Sequence, residues 1–341
     1  MSKLIAVLVA VAVVSAACSR RPDAPGYLKD SGYIFGTYYN FVYQSDTDYN
    51  DEIINLLGEY DSSLSLYNDS SILSRINRNE DVSADSFFVH VFQQARHFYE
   101  LSEGRFDITV APLCRLWKFG KEHSDTISLA EYQQILSKVD SVREFVGMSK
   151  VQMVDNKIVK ADNRIKLDAC AIAEGYGIDV AASVLERHGI SNYMIELGGE
   201  LHVKGQSPSG RGWRIGINKP VDGSTAYGAD NQCIVEMRDG ALSTSGDYRQ
   251  YYFTADGRRL SHEINPLTGQ PIDNLTRSVT VFGPNTLTTD ALSTTLMIYP
   301  HDEALALAKT LDGIEAYIIY EDSLGVQHEA MTDGFREMIV R

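Results

Sequence analysis

From Asn192 to Pro284 the chain reads as one β-strand after another, with turns where crossover helices would have to be. NYMIELGGELHVKG is strand, Gly-Gly turn, strand. WRIGINKP, QCIVEMRDGALSTSG, YRQYYFTADGRRLSHEI and RSVTVFGP add more, with hairpin-like turns at Asp239-Gly240 and Asp256-Gly257. Strands that follow strands this closely pair antiparallel, and a doubly wound parallel sheet is excluded. Helical spacing lies elsewhere: Asp48 to Tyr60, Ser86 to Leu101, the stretch after Asp168, and two late segments, TTDALSTTLMIYP and DEALALAKTL. GYIFGTYYNFVYQ reads as an early strand and AYIIYED as a closing one. The expected class is α+β, mostly antiparallel sheets flanked by helices.

The first residues stand apart. MSKLIAVLVAVAVVSAAC carries one early cation, Lys3, then an apolar run too short to span a bilayer, then Cys18. Residues 1–17 have the form of an export signal, and small residues before a cysteine resemble a bacterial lipoprotein signal with Cys18 lipidated. An ordinary cleaved signal with an incidental cysteine is the alternative. Residues 18–31, polar and proline-containing, read as a flexible tether, and 32–341 as one catalytic unit. The expected location is the periplasmic face of a bacterial membrane. With 46 acidic against 31 basic residues, a net charge of −15, the chain is a poor partner for nucleic acid or anionic lipid. Any phosphate ligand would need a cation or clustered N–H donors. Beyond Cys18 only Cys114, Cys170 and Cys233 remain, too few for a disulfide scaffold or a thiolate zinc cage.

Four stretches could carry chemistry. LDACAIAEGYG (167–177) opens the best helix, with Asp168 at its N-cap and Gly189 as its stop. Its N-terminus suits a phosphate, and Gly175 and Gly177 let a ligand or backbone come close. The same residues fit a capped amphipathic helix packed on a strand. In TTDALSTTL (288–296), Asp290 and Thr294 are four apart on one helical face, with Ser293 beside them. That is an oxygen set for a hard cation such as Mg²⁺, or simply an acid complementing the helix dipole. In GALSTSGDYRQYY (240–252), Thr244, Ser245 and Gly246 read as a polar turn after a strand, and Tyr248, Tyr251 and Tyr252 as the next strand. SHEINPLTGQPI (261–272) follows. A zinc-protease reading of His262-Glu263 fails, because Pro266 stands where the second histidine belongs. His262 instead runs into a tight turn, where a general base can be aimed into a cleft. In EGRFDITVAPLCRLWKFG (103–120), Phe106, Ile108 and Val110 alternate like a strand and read as core.

Together with FGTYY, SLSLYNDSSILSRIN and YMIELGGELHVKG, these stretches run in the order seen in the ApbE family of flavin transferases, which the chain resembles from about Gly32 to past Tyr299. The resemblance implies a T-fold-like catalytic unit that uses FAD and Mg²⁺. It implies transfer of the FMN half of FAD to a threonine hydroxyl of a partner protein, with release of AMP. The partners it implies are extracytoplasmic FMN-binding domains of Rnf- and Nqr-type electron-transport subunits. Position by position, Phe35 (where the family usually has methionine), Tyr67, Arg105, Phe106, Asp107, Asp168, Glu174 (often lysine in the family) and Ile264 match FAD contacts. The Ala171 carbonyl, Asp290, Ser293 and Thr294 match the Mg²⁺ site, and His262 the histidine needed for transfer. A Mg²⁺-dependent FAD pyrophosphatase and a non-catalytic FAD-storage lipoprotein are the alternatives.

Overall fold

The computed structural model describes residues 26–119, 126–222, 230–248 and 250–340. The residues read as an export signal, Cys18 and most of the stretch read as a tether lie outside these. A strand already begins at Tyr27, inside the span 18–31 read as a tether. That strand, Tyr27–Ile34, pairs with Thr37–Gln44, so GYIFGTYYNFVYQ is a hairpin and not one strand. The reversal falls on Phe35 and Gly36, both at positive φ (56° and 80°), the conformation of a tight two-residue hairpin turn.

Eight antiparallel strands form the central sheet. Across it run Tyr27–Ile34, Thr37–Gln44, Tyr193–Leu197, Glu200–Lys204, Gly240–Gly246, Thr276–Gly283, Glu315–Glu321 and Gln327–Met331. One face carries the helices Asn50–Leu64, Ser86–Leu101, Cys170–Arg187 and Thr286–Ile298, whose apolar stripes join the sheet in the largest core cluster. The other face is covered by a small sheet of Trp213–Asn218, Asn231–Met237 and Ile339–Val340, around Trp213, Phe335 and Tyr317. A satellite lobe packs the helices Ala111–Leu116 and Leu129–Arg143 on the strands Tyr251–Thr254 and Arg259–Ser261, around Trp117, Tyr252 and Ile264.

Two local expectations change. Phe106, Ile108 and Val110 do not form a strand. The buried Asp107 carboxylate accepts hydrogen bonds from the Thr109 amide and hydroxyl (2.7 and 2.6 Å) and from the Met148 amide (3.1 Å), which curls the segment. Thr244, Ser245 and Gly246 are not a turn but the end of the strand Gly240–Gly246, and Tyr248 precedes the strand of Tyr251 and Tyr252.

The closest helix crossing is set by Gly175. A Cβ there would stand 2.4 Å from the Thr286 carbonyl oxygen and 2.7 Å from the Asp290 Cβ. Alanine would gain up to ~1 kcal/mol of helix propensity, while overpacking against backbone loses about 1–3 kcal/mol. The second effect wins because a neighbouring helix backbone cannot rotate away. Gly175→Ala is expected to lower stability by roughly 1–2 kcal/mol, read as a lower urea midpoint at unchanged slope. An unchanged midpoint would mean that the two helices part freely.

Candidate active site

The crossing of Cys170–Arg187 over Thr286–Ile298 brings the two sequence-predicted oxygen sets together. The Gly175 amide donates to the Asp290 carboxylate at 2.9 Å, and Asp290 is 4 % exposed. Ser293 and Thr294 lie one turn on. Both meet the Ser245 hydroxyl, at 2.8 and 3.2 Å, and Ser293 donates back to the Asp290 carbonyl at 3.0 Å. The start of the second helix is fixed from outside. Asp179 accepts from the Thr286 and Leu287 amides, each at 2.9 Å, and meets His202 Nδ1 at 3.0 Å. Asn285 caps Thr288 at 2.9 Å. Those first amides are occupied, and at the start of Cys170–Arg187 the Cys170 amide is likewise held, by the Asp168 carboxylate.

Asp168 is not the N-cap of that helix. Ala169 holds the position, and the Asp168 carboxylate accepts from the Cys170 amide at 2.9 Å from one residue further out. Glu174 is exposed and points to the hairpin at Gly198, where a Cβ would strike its carboxylate. Across from it stands Glu200, whose Oε2 is buried with no hydrogen-bond partner. Burial and the neighbouring Asp290 and Glu174 charges raise the Glu200 pKa well above the carboxylate range. Asp290 is raised in the same way, by burial first and then by Glu174, Glu263 and Asp179, against the opposing Gly175 hydrogen bond. Two buried acids that are hard to ionise beside a row of hydroxyls are a fitting receptacle for a hard divalent cation, which would supply the missing positive charge. The Ala171 carbonyl belongs to the first turn of the same helix.

The predicted flavin-side residues divide. Phe35 reaches the helix face at Gly177, where a Cβ would meet its ring edge at 3.5 Å, and its ring lies 6.0 Å from that of Tyr60. Tyr67 is 72 % exposed, and the Cys170 sulfur, partial burial and the Asp168 carboxylate raise its hydroxyl pKa. Arg105 lies over the Tyr299 ring at 4.3 Å and keeps part of its guanidinium in solvent. Phe106 and Asp107, by contrast, have their side chains in the core, and burial raises the Asp107 pKa. Ile264 is likewise buried. Ligand contacts from these three would come chiefly from main-chain atoms.

His262 sits at the edge of the satellite lobe, directly after the strand Arg259–Ser261 and near the Phe119 ring. Its Nδ1 lies 3.2 Å from the Gln250 carbonyl oxygen, which can only accept, so Nδ1 carries the hydrogen and Nε2 holds the lone pair. Nε2 is 3.5 Å from the Glu263 carboxylate. Glu263 in turn is among the charges that raise Asp290, which ties the imidazole's surroundings to the cation site. Sequence reasoning missed Glu200, Asp179, Glu263 and the role of Ser245. Glu200 follows the Gly198-Gly199 turn, and that turn was the one available signal for it.

The α+β scaffold thus sets buried acids and hydroxyls where two helices cross, with an imidazole on the neighbouring lobe, and the class of enzyme is given by its relatives. A Vibrio cholerae structure described as flavin transferase ApbE matches with a TM-score of 0.78 at 33% identity, over 92% of this chain and 99% of that one. In sequence, the chain is 33% identical to the FAD:protein FMN transferase of Haemophilus influenzae, over 95% of both. It is 37% identical to that of Vibrio cholerae, over 84% of this chain and 89% of the relative. The ApbE family model matches residues 35–318. The chain belongs to the ApbE family, and it is a transferase.

The carboxylate crowding gives a signed expectation. A carboxyl whose folded pKa is raised binds its proton more tightly folded than unfolded, so its contribution to stability falls as pH rises above the unfolded value of about 4. Asn at 290 cannot ionise and can still accept the Gly175 amide. Without divalent cations, Asp290→Asn is therefore expected to be more stable than the parent at pH 8 by about 0.5–2 kcal/mol. The gap should close towards pH 5. Thermal denaturation in chelator at the two pH values checks this, and a variant less stable at pH 8 would contradict the burial argument.

Proposed function

We propose that this chain transfers the FMN half of FAD to a threonine hydroxyl of a partner protein, with Mg²⁺ bound, and releases AMP. The observation that supports the reading is the Asp290 carboxylate on the Gly175 amide, with Ser293 and Thr294 one turn on at the Ser245 hydroxyl, beside Glu200, whose buried Oε2 has no hydrogen-bond partner. Asp290, Thr294, Ser293 and the Ala171 carbonyl would hold the ion. Bound there, Mg²⁺ neutralises the pyrophosphate and the developing charge of the leaving AMP.

The chain's own groups account for the rest. Arg105 gives the dinucleotide a positive contact in an otherwise acidic protein. Phe35 and Tyr67 offer ring faces for the isoalloxazine. His262 Nε2, with its lone pair free, takes the proton from the threonine hydroxyl. The hydroxyl oxygen then bonds to the FMN phosphorus, and the bond from that phosphorus to the bridging oxygen breaks, so that AMP leaves with the electron pair. The family resemblance makes extracytoplasmic FMN-binding domains of Rnf- or Nqr-type subunits the expected acceptors. The signal-like residues 1–17 and Cys18 fit a chain tethered on that side of a membrane.

The test is incubation with FAD, Mg²⁺ and a threonine-bearing FMN-binding domain, followed by mass measurement of that domain. A gain equal to one FMN moiety is expected. Free FMN and AMP with an unmodified domain would make the chain a pyrophosphatase, and intact FAD would make it a carrier. His262→Gly is expected to slow transfer by about 10²–10⁴-fold while FAD still binds. Full transfer by that variant would remove the base assignment.

A further inference from the structure

We propose that Glu263 is the charge partner of His262, a positioning residue that holds the imidazole and stabilises the proton it takes from the acceptor hydroxyl. This deepens the reading of His262 as the base and rests on it. Neighbouring residues of a regular strand point to opposite faces, yet here two adjacent side chains converge. The reason is a break in the strand. Arg259–Ser261 ends before His262, and the short strand Ile264–Asn265 begins after Glu263. The Ser261 hydroxyl accepts from the Glu263 amide at 3.3 Å, and the Glu263 carbonyl accepts from the Ile272 amide at 2.9 Å. These two bonds pin the backbone of the break.

Glu263 is 7 % exposed. A carboxylate so deeply placed is unfavourable unless it is paired. Among the described residues, its partner within ion-pair distance is His262, at 3.5 Å from Nε2. Burial raises the Glu263 pKa, and a positive charge on the His262 ring would oppose that shift. The other groups that sense Glu263 are the Asp290 and Asp247 carboxylates and the Cys114 sulfur, none of which is a cation.

The separation itself is informative. At 3.5 Å the carboxylate is too far to take a well-formed hydrogen bond from Nε2, so the lone pair stays available to an incoming hydroxyl. It is close enough to favour positive charge on the ring once that proton arrives. The threonine O–H bond breaks as the oxygen–phosphorus bond forms, the proton goes to Nε2, and Glu263 remains ionised beside the new N–H. The Gln250 carbonyl holds Nδ1 from the other side and fixes the tautomer. The arrangement divides between a main-chain acceptor and one acid the duties that fall to a single carboxylate in a serine-protease triad.

The experiment compares the parent chain with Glu263→Gln, Glu263→Asp and His262→Gly in FMN transfer to the acceptor domain. FAD affinity and thermal stability are measured alongside. Glu263→Gln keeps the shape and removes the charge, and is expected to lower kcat about 10- to 100-fold with FAD affinity and the acceptor KM unchanged. Glu263→Asp keeps the charge but withdraws it, and is expected to lose less. Full kcat in Glu263→Gln overturns the proposal. So does a loss that tracks FAD affinity or melting temperature, since that would make Glu263 structural only. Should Glu263→Gln fail to fold, Glu263→Asp decides alone, with unaltered kcat as the contrary result. No transfer by the parent chain, or full transfer by His262→Gly, would instead sink the reading of His262 itself.

Discussion

The hydrogen bond from the Gly175 amide to the Asp290 carboxylate is where fold and site become one thing. It spans 115 residues of sequence and needs two helices at a separation that only a glycine allows. The bond takes an amide from within one helix and an acid from the first turns of another, so neither helix could make the site alone. Asp179 secures the second helix by occupying its first amides, which sets the angle at which Asp290, Ser293 and Thr294 face inward. The central sheet supplies the floor, because Ser243 and Ser245 on the strand Gly240–Gly246 meet Thr289, Ser293 and Thr294 from below.

Electrostatics explains why a fold would accept such an arrangement. Asp290 and Glu200 are buried beside Glu174, and each is pushed toward its neutral form. A core built for stability alone would place apolar residues there. Retaining the acids makes their ionised state unfavourable, a deficit that a positively charged ligand would relieve. The overall charge of −15 sharpens the point. Such a chain would need a local device to attract phosphate, because its surface at large repels anions.

The architecture was legible because it rests on periodicity and turn chemistry. The succession of strands after Asn192, the helix with Gly175 and Gly177, and Asp290 and Thr294 one turn apart are all patterns of local spacing. What escaped depends on contacts between distant segments. Nothing near Glu200 announces that its carboxylate will be buried opposite Asp290. Nothing around Phe106 announces that Asp107 will curl its segment by binding Thr109 and Met148. The hairpin at Phe35-Gly36 was missed for a different reason: a phenylalanine at positive φ is rare, so FGT did not read as a turn. That strain has a use, since it carries the ring to the Gly177 face of the helix. The segment Arg105-Phe106-Asp107, which the resemblance matches to FAD contacts, yields one accessible side chain and two core ones.

The imidazole and the cation site belong to different bodies of the fold, and this constrains how chemistry can proceed. Asp290 and Gly175 are fixed within the main core, whereas His262 rides on the edge of the satellite lobe, beside Tyr252 and Ile264 of its separate cluster. A ligand that spans the seam must therefore touch both. On the proposed reading, a ligand held at the Gly175–Asp290 crossing presents its phosphate to Nε2 by reaching across to the lobe. A free pyrophosphate could fill the cation end without engaging the lobe at all. On the proposed reading a dinucleotide would span both, and its flavin end, against Phe35 and Tyr67, would fix which of the two phosphorus atoms faces the base. The choice of bond to be broken would then lie in how the ligand is held, while the imidazole need only be aimed.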